Sequence, residues 1–298
     1  MPSYGSRCER GFYALQISVS IAKGTLMSTA IIRLYHLSGF VIGADGRETQ
    51  GSDHHLANES TQKVFPLIDG NNILAYSFCG STRYTSDSGD ETIWNLADDV
   101  RTAAQSLSGH RSRTLHEYAE KLATEINLVF RKAKTNGKIS EYPIEAGTYK
   151  SDAVIAELFL DGFYSGVASR AAVKFLHRNQ ELMPPAVHLC PLDKMGWEVN
   201  GPCKIAGLFF DDQDLTFIKY RKPGWLLSPA SFNDVTAVID GFIRACSSPE
   251  AQALDPTAQF LVGGHTHIAI VTPEGFRWAK GYEPLPDPSG HLSTVSLL

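Results

Sequence analysis

Two short hairpin patterns near the start of the chain constrain its fold more than any other feature. After Thr29, the runs AIIRLY and FVIGAD have β-type residues and are joined by HLSG, which suits a tight turn. The polar stretch ETQGSDHHLANES is loop-like, and TQKVFPLI and NNILAYSF then repeat the pattern around Asp69-Gly70. Four strands are therefore expected before any helix.

Helical periodicity follows these strands. Asp90 or Glu91 can open a first helix, and a second begins near Leu115. Their apolar residues keep a three-four spacing: Ile93, Leu96, Ala97, Val100, Ala103, Ala104 and Leu107 in the first, and Leu115, Tyr118, Ala119, Leu122, Ala123, Ile126, Val129 and Phe130 in the second. Both patterns are amphipathic, so each helix is expected to cover one face of a sheet.

Strand patterns return in the second half of the chain. They are AVIAELFLDGF, AAVKFLHRN and CKIAGLFF, and FLVGGHTHIAIVTPEGFRWAKGYE reads as a strand, a turn and a return strand. SFNDVTAVIDGFIRAC is helical, with its apolar residues on one face. This order of strands, helices and strands predicts an α+β fold rather than a repeating βαβ one.

The domain organisation is read from the ends of these patterns. We expect one domain over residues 28–285, without an internal repeat or linker. Residues 1–27 are interpreted as an extension, a propeptide or a start assigned too early, because Met27 directly precedes the regular pattern. The Pro- and Ser-rich residues 286–298 are expected to form a loose tail.

The charge and the cysteine content of the chain limit the classes of binding partner and the cellular compartment that we expect. The 27 basic and 32 acidic residues give a net charge of -5 without a basic run, so no nucleic acid or anionic membrane partner is expected. The longest apolar runs fall short of the ~20 residues of a membrane span. The 5 cysteines are scattered without a CxxC pair, which suits a reducing compartment, and we predict a cytoplasmic location.

Several chemistry-bearing residues sit at the ends of the first four strands. Thr29 and Asp45 bracket the first hairpin, Arg47 follows Asp45, Lys63 opens the third strand and Gly80 ends the fourth. In this order they resemble the proteasome β-subunit and HslV group of N-terminal-nucleophile (Ntn) hydrolases. The resemblance implies a proteasome-like four-layer αββα sandwich, with two antiparallel sheets between helix layers.

The resemblance also implies a role for each residue. Thr29 is the terminal nucleophile, with Ser28 as an alternative, and Lys63 adjusts the reactivity of that nucleophile. Asp45 orients Lys63, and Arg47 supports the loop that follows Asp45. The backbone amide of Gly80 donates a hydrogen bond to the oxyanion. Thr49, Ser81 and Thr82 are expected to contact substrate. The chemistry is sound, since a free α-amino group with a pKa of ~8 can take the proton of a threonine hydroxyl on the same residue.

The activity implied is hydrolysis of a peptide or amide bond through an acyl-enzyme. A homo-oligomeric ring is expected and no cofactor is implied; an unfoldase or regulator partner is left open. Two regions depart from the group's pattern. Leu208 and Phe209 follow Gly207 where a serine is usual, and Gln259 and Val262 precede the late Gly-Gly where an aspartate and a serine are usual.

Two alternatives of other classes remain. The departures, together with a retained extension that blocks the nucleophile, favour a catalytically inert ring or scaffold subunit. A metal-dependent phosphoesterase is the other alternative. The first metal motif of that family matches Asp53-His54-His55, and its last matches the GHTH sequence that contains His265 and His267. Its ligands would be Asp53, His55, His265 and His267, but the intervening motifs are missing.

Overall fold

The computed structural model shows a mixed α+β fold. It describes residues 29–36, 38–50, 55–85, 91–109, 112–144, 148–190, 192, 196–222, 231–255 and 262–285. Ser28, the predicted extension and the predicted tail lie outside these ranges, and the proposed single domain from residue 28 to 285 stays a prediction.

Strands make up most of the regular structure. They are β1 (Ile31–His36), β2 (Gly39–Ala44), β3 (Glu48–Gln50), β4 (His55–Asn58), β5 (Val64–Asp69), β6 (Asn72–Gly80), β7 (Arg83–Thr85), β8 (Thr92–Asn95), β9 (Thr148–Tyr149), β10 (Asp152–Tyr164), β11 (Val167–Arg178), β12 (Glu181–Leu182), β13 (Ala186–Leu189), β14 (Gly196–Asn200), β15 (His267–Thr272) and β16 (Gly275–Trp278). The helices are α1 (Leu96–Leu107), α2 (Leu115–Thr135), α3 (Cys203–Phe209), α4 (Phe232–Cys246) and α5 (Pro249–Leu254), with a short 3-10 helix at Ile218–Tyr220.

Two larger sheets organise the strands. A five-stranded sheet has the order β14-β1-β2-β15-β16. A seven-stranded sheet has the order β12-β11-β10-β6-β5, with β9 added on β10 and β13 on β11. Every described strand pair in them is antiparallel. The predicted α+β class is confirmed.

Both predicted N-terminal hairpins are present. In the first, β1 pairs with β2 from Ile31↔Ala44 to His36↔Gly39. In the second, β5 pairs with β6 up to Asp69↔Asn72, and Gly70 takes a positive φ of 58° in the turn. The first hairpin is central in the five-stranded sheet, whereas the second lies at an edge of the seven-stranded sheet.

Buried apolar residues form three main clusters around these sheets. One cluster joins α1 and α2 to the seven-stranded sheet. A second joins α3 and α4 to the five-stranded sheet. A third contains residues of both sheets, among them Ile31, Ala44, Val64, Cys79 and Phe159. The two sheets therefore share a buried apolar interface.

The helices begin at polar caps that satisfy their first free N–H groups. Asn95 accepts from the amide of Ala97 at the start of α1, and Thr114 accepts from that of Glu117 at the start of α2. The first helix therefore starts later than Asp90 or Glu91, because residues 92–95 pair as β8 with β7. Helix α4 is confirmed, with Ser231 as its cap.

Two stretches differ from the sequence-based expectation. CKIAGLFF was expected to be a strand, but Cys203–Phe209 form α3. Short apolar runs do not distinguish a buried strand from a buried helix, and Ile205, Ala206 and Phe209 are buried with α4 on a helical spacing. The polar stretch after Asp45 was expected to be a loop, but its ends pair as β3 and β4.

None of the helices in the described ranges is both long enough and apolar enough to cross a bilayer.

Candidate active site

Four of the predicted site residues lie at matching ends of the two hairpins. Thr29 precedes β1 and Asp45 directly follows β2, while Lys63 directly precedes β5 and Gly80 is the last residue of β6. Because each hairpin is antiparallel, the members of each pair lie at one end of their sheet. The neighbouring strand residues Ile31, Ala44, Val64 and Cys79 belong to one cluster between the sheets. The fold therefore brings the four positions to one end of the interface.

Asp45 is the centre of this region. Its Oδ1 accepts from the backbone amide of Ala30 (2.9 Å) and from Nζ of Lys63 (3.1 Å). Its Oδ2 accepts from the amides of Gly263 (3.1 Å) and Arg47 (3.2 Å). Four donors thus satisfy a carboxylate that is fully buried. Each oxygen atom of this carboxylate therefore has two hydrogen-bond donors.

Lys63 is held beside the first described residues of the chain. Its side chain is 6% exposed, and Nζ also donates to the carbonyl oxygen of Arg47 (2.5 Å). Nζ and the Ala30 amide share a single oxygen atom of Asp45. The ammonium group is therefore adjacent to the peptide that joins Thr29 to Ala30. Thr29 itself is 4% exposed.

Arg47 contributes through its backbone and through an ion pair with Glu59. Its amide binds Asp45 and its carbonyl binds Lys63. Its Nη2 pairs with Oε1 of Glu59 at 2.8 Å, a partner that the sequence did not indicate. The guanidinium also packs against Gly263, where an added Cβ would come within 2.7 Å of it. Arg47 thus contacts three chain segments around the Asp45–Lys63 ion pair: its own, that of Glu59 and that of Gly263.

Backbone hydrogen bonds tie these segments together. The amide of Gly46 donates to the carbonyl of Gly263 (3.1 Å), and that of Thr61 donates to the carbonyl of Gly46 (2.9 Å). The amide of His265 donates to the carbonyl of Glu59 (2.7 Å). We call segments 45–47, 59–63 and 263–267 together the site clasp. Gly263, Glu59 and Thr61 were missed by sequence reasoning; only the Gly-Gly pair and the neighbouring polar stretch hinted at them.

The residues expected to contact substrate differ in accessibility. Thr49 is half-buried in β3 and pairs with Leu56. Ser81 is buried, its amide donates to the carbonyl of Ile155 (2.9 Å) and its own carbonyl accepts from Trp94. The Thr82 carbonyl accepts from the amide of Leu96 (2.7 Å). The backbone groups of Ser81 and Thr82 thus connect β6 to β8 and α1. Thr49 and Thr82 are half-buried, whereas Ser81 is buried.

Gly80 occupies a backbone conformation that other residues avoid. Its φ is 93°, and an added Cβ would lie 2.8 Å from the Ile155 carbonyl oxygen and 2.9 Å from the Ala156 Cα. These are rigid backbone atoms, so a side chain at this position would force the strand pair apart. The absence of a side chain therefore allows β10 to lie close against the end of β6.

Gly80→Ala is therefore expected to lower the free energy of unfolding by about 2 kcal/mol or more, through backbone strain and the steric conflict. Gly70→Ala is the matched control, because Gly70 also has a positive φ but no heavy atom would come within 4 Å of its Cβ. The control should cost only about 1 kcal/mol. Urea unfolding of both variants measures the difference, and equal losses would contradict the predicted conflict with β10.

The histidines of the phosphoesterase alternative bind backbone groups. Nε2 of His267 contacts the carbonyl of Thr61 (2.8 Å), and Nε2 of His265 contacts that of Glu283 (2.6 Å). His55 begins β4, and Asp53 lies outside the described residues. Within the ranges that the structure describes, no group of three His, Cys, Asp or Glu side chains is placed to hold a metal ion. The geometry gives this alternative no support.

The two regions that depart from the Ntn pattern are apolar where the structure describes them. Phe209 lies in α3 and is buried with α4, and Val262 belongs to the same cluster. Gly207 and Leu208 are also part of α3, rather than a strand. Gln259 lies outside the described residues. The described residues at these positions therefore do not replace the serine or the aspartate of that pattern.

Two comparisons with known proteins find no match, and a third finds similar solved structures. No family model matches the chain, and no curated protein matches it. Among solved structures, Anbu (ancestral beta-subunit) from Yersinia bercovieri aligns with 12% identity and a TM-score of 0.47, covering 85% of this chain and 88% of that chain. The Anbu (Gly-1) mutant from Hyphomicrobium sp. strain MC1 aligns with the same identity and TM-score, covering 85% of each chain.

These findings correct the family suggested by the sequence. The identification with the proteasome β-subunit and HslV group was wrong, because no family model matches the chain and the two similar structures named above are Anbu proteins at 12% identity. The roles of the site residues, the substrate, the homo-oligomeric ring and the cytoplasmic location stay predictions.

Proposed function

We propose that this chain is a hydrolase of peptide or amide bonds that uses Thr29 as an N-terminal nucleophile. The proposal requires cleavage of the chain directly before Thr29, so that its α-amino group becomes free. The observation that carries it is the shared Oδ1 of Asp45, which binds both the Ala30 amide and Nζ of Lys63. This arrangement supports a fixed positive charge beside residue 29.

A cation at that position has a defined chemical effect. The ammonium group of Lys63 disfavours protonation of a neighbouring α-amino group, and it therefore lowers the pKa of that amine. A larger fraction of the amine is then neutral near pH 7, as a general base must be. The four hydrogen bonds to Asp45 hold the lysine in place, so that the effect does not depend on a mobile side chain.

The proposed reaction has two halves. The neutral amine takes the proton of the Thr29 hydroxyl, and Oγ1 attacks the carbonyl carbon of the substrate. The C–N bond then breaks, the departing amine takes the proton from the ammonium group, and an ester of Thr29 remains. A water molecule attacks this ester with the α-amino group again as base, which releases the carboxylic acid and regenerates Thr29.

Charge on the substrate oxygen needs a donor in both halves. We assign this role to the backbone amide of Gly80, the last residue of β6, which lies at the same end of the fold as Thr29 and Lys63. Loss of one such donor typically costs about 3 kcal/mol of transition-state stabilisation. Thr49, half-buried on β3, is assigned to align the substrate backbone as an added strand.

The same proposal includes the finer architecture. Helices α1 and α2 pack on the seven-stranded sheet, α3 and α4 pack on the five-stranded sheet, and the sheets share a cluster. These contacts support a four-layer αββα arrangement, in which the site clasp lies at one end of the interface between the sheets.

The experiment that tests the proposal is intact-mass measurement and N-terminal sequencing of the purified native protein, followed by a screen of fluorogenic peptides and small amides. We expect a chain that begins at Thr29 and hydrolyses at least one substrate class. A chain that retains the preceding residues and hydrolyses nothing would contradict the proposal and would favour the inert subunit. Processing at Ser28 instead would move the nucleophile to that residue.

A further inference from the structure

His267 is a buried histidine for which the proposed reaction has no role. It is the first residue of β15, and it pairs with Ala44, the residue directly before Asp45. Its side chain shares the face of β15 with Ala269 and Val271, which belong to the cluster between the sheets. No part of the residue is exposed to solvent. A polar ring at such a position needs a reason, since burial of an imidazole without partners is costly.

The hydrogen bonds of His267 define its tautomer. Nε2 lies 2.8 Å from the carbonyl oxygen of Thr61, which can only accept, so Nε2 carries the hydrogen. Nδ1 is buried and has no hydrogen-bond partner among the described residues. The ring therefore serves the protein through one donated hydrogen bond.

The surroundings keep this imidazole neutral. The pKa of His267 is lowered to about 4, mainly by burial; His265 and Lys63 act in the same direction and the Thr61 carbonyl opposes them. Lys63, which precedes β5, and His265, which precedes β15, are the titratable groups that act on the ring; Asp45 pairs with Lys63. A neutral donor is thus available throughout the physiological pH range.

The bond from His267 reaches the segment that carries Lys63. Thr61 is two residues before Lys63, and its amide is already bound to the carbonyl of Gly46 (2.9 Å). Its carbonyl is bound by His267 on β15. Both backbone groups of Thr61 are therefore fixed, one by the segment after β2 and one by β15. The orientation of the backbone that leads to Lys63 therefore depends on both hydrogen bonds of Thr61.

We infer that His267 is a positioning residue for Lys63: its Nε2–H group fixes Thr61 and thereby holds the lysine ammonium on Asp45 beside Thr29. This inference rests on the proposed function for its chemical meaning. Its structural content, the fixation of segment 59–63 by the imidazole, can be measured whether or not the protein hydrolyses anything.

Three variants separate the donated hydrogen bond from the volume of the ring. His267→Gln keeps a neutral N–H donor at a similar distance from the backbone, whereas His267→Leu fills the space without a donor. His265→Gln is the control, because the His265 ring contacts the Glu283 carbonyl, and the substitution keeps the backbone amide that donates to the carbonyl of Glu59. All three are made in the full chain.

The first readout is hydrogen exchange followed by mass spectrometry over peptides that cover residues 59–65. In His267→Leu we expect exchange in this segment to accelerate about five- to tenfold, the effect of losing one buried hydrogen bond. Peptides of α2 should exchange as in the wild type. His267→Gln and His265→Gln should stay within about twofold of the wild type in both regions.

The second readout is the pH profile of kcat/KM, measured on the processed enzyme. If Lys63 is no longer held beside the α-amino group, the pKa of that amine rises towards its ordinary value of ~8. The acidic limb of the profile should then move to higher pH in His267→Leu by about half a unit or more, with kcat lowered at least tenfold and KM changed less than threefold. The Gln variant should restore the wild-type limb.

The outcomes distinguish a failure of the His267 inference from a failure of the proposed hydrolytic function. Unchanged exchange at residues 59–65 in His267→Leu would overturn the inference, even in an active enzyme. Accelerated exchange with an unmoved acidic limb would reduce His267 to a structural residue and would also overturn it. Accelerated exchange in a protein without any hydrolytic activity would support the fixation of Lys63 and contradict the proposed function instead.

Discussion

Thr29→Ala is expected to abolish hydrolysis while the protein remains folded. The variant loses the hydroxyl that forms the acyl-enzyme, and no other group of the proposed mechanism can replace it. Removal of a covalent nucleophile lowers kcat by several orders of magnitude, and we expect a loss of at least about a thousandfold. The measurement is turnover of a fluorogenic peptide or amide, with the N-terminus of each preparation confirmed by mass spectrometry.

Thr29→Ser is the matched control for this experiment. Serine keeps the hydroxyl and the α-amino group and loses only a methyl group, so activity should remain measurable. Because Thr29 is buried, both variants should lose only about 1 kcal/mol of stability and keep a cooperative urea transition, so that lost turnover is not lost folding. Turnover of the Ala variant at the wild-type rate would remove Thr29 from the site.

The sequence predicted the local elements well because their signals are local. The Ser38-Gly39 and Asp69-Gly70 turns lie within a few residues of the strands that they join, and both hairpins are confirmed. Helix α2 was predicted because its apolar residues keep a three-four spacing within one stretch. Where the deciding contacts are distant, as in the packing of Cys203–Phe209 on α4, the apolar run alone gave the wrong element.

The candidate site shows the same division. Asp45, Lys63 and Gly80 were indicated because their residue types at strand ends resemble a known arrangement. The other partners of Asp45 include the amide of Gly263, 218 residues away in sequence, and every residue except proline carries such an amide. The same holds for the Thr61 carbonyl that His267 binds. Backbone groups leave no signal in side-chain patterns, so the sequence could not predict these backbone partners of Asp45 and His267.

Asp45→Asn is expected to have the second large effect, and it acts on stability as well as on activity. Lys63 is buried and has Asp45 as its ion-pair partner among the described residues. An amide in place of the carboxylate leaves the ammonium without a counter-charge, and its NH2 group faces N–H donors on one side. Breaking a buried pair in this way costs about 3 to 5 kcal/mol. Urea unfolding measures the loss.

Asp98→Asn makes the same chemical change on the surface and serves as the control. Asp98 pairs with Arg101 within α1, and its side chain is 54% exposed. Exposed pairs of this spacing contribute about 0.5 kcal/mol or less, so the control should be nearly neutral. If both substitutions cost the same, the clasp around Asp45 would not have the energetic importance that its four hydrogen bonds indicate.

The double variant Asp45→Asn with Lys63→Met separates charge from geometry. Because Met removes the unpaired ammonium while keeping a long apolar side chain, the double variant should be more stable than Asp45→Asn alone, by about 1 to 3 kcal/mol. Hydrolysis should nevertheless stay absent, since no cation remains to lower the pKa of the Thr29 amine. Stability would then return without activity, which is the result expected if the Asp45–Lys63 pair serves the nucleophile. Recovery of both together would instead assign the pair to the fold alone.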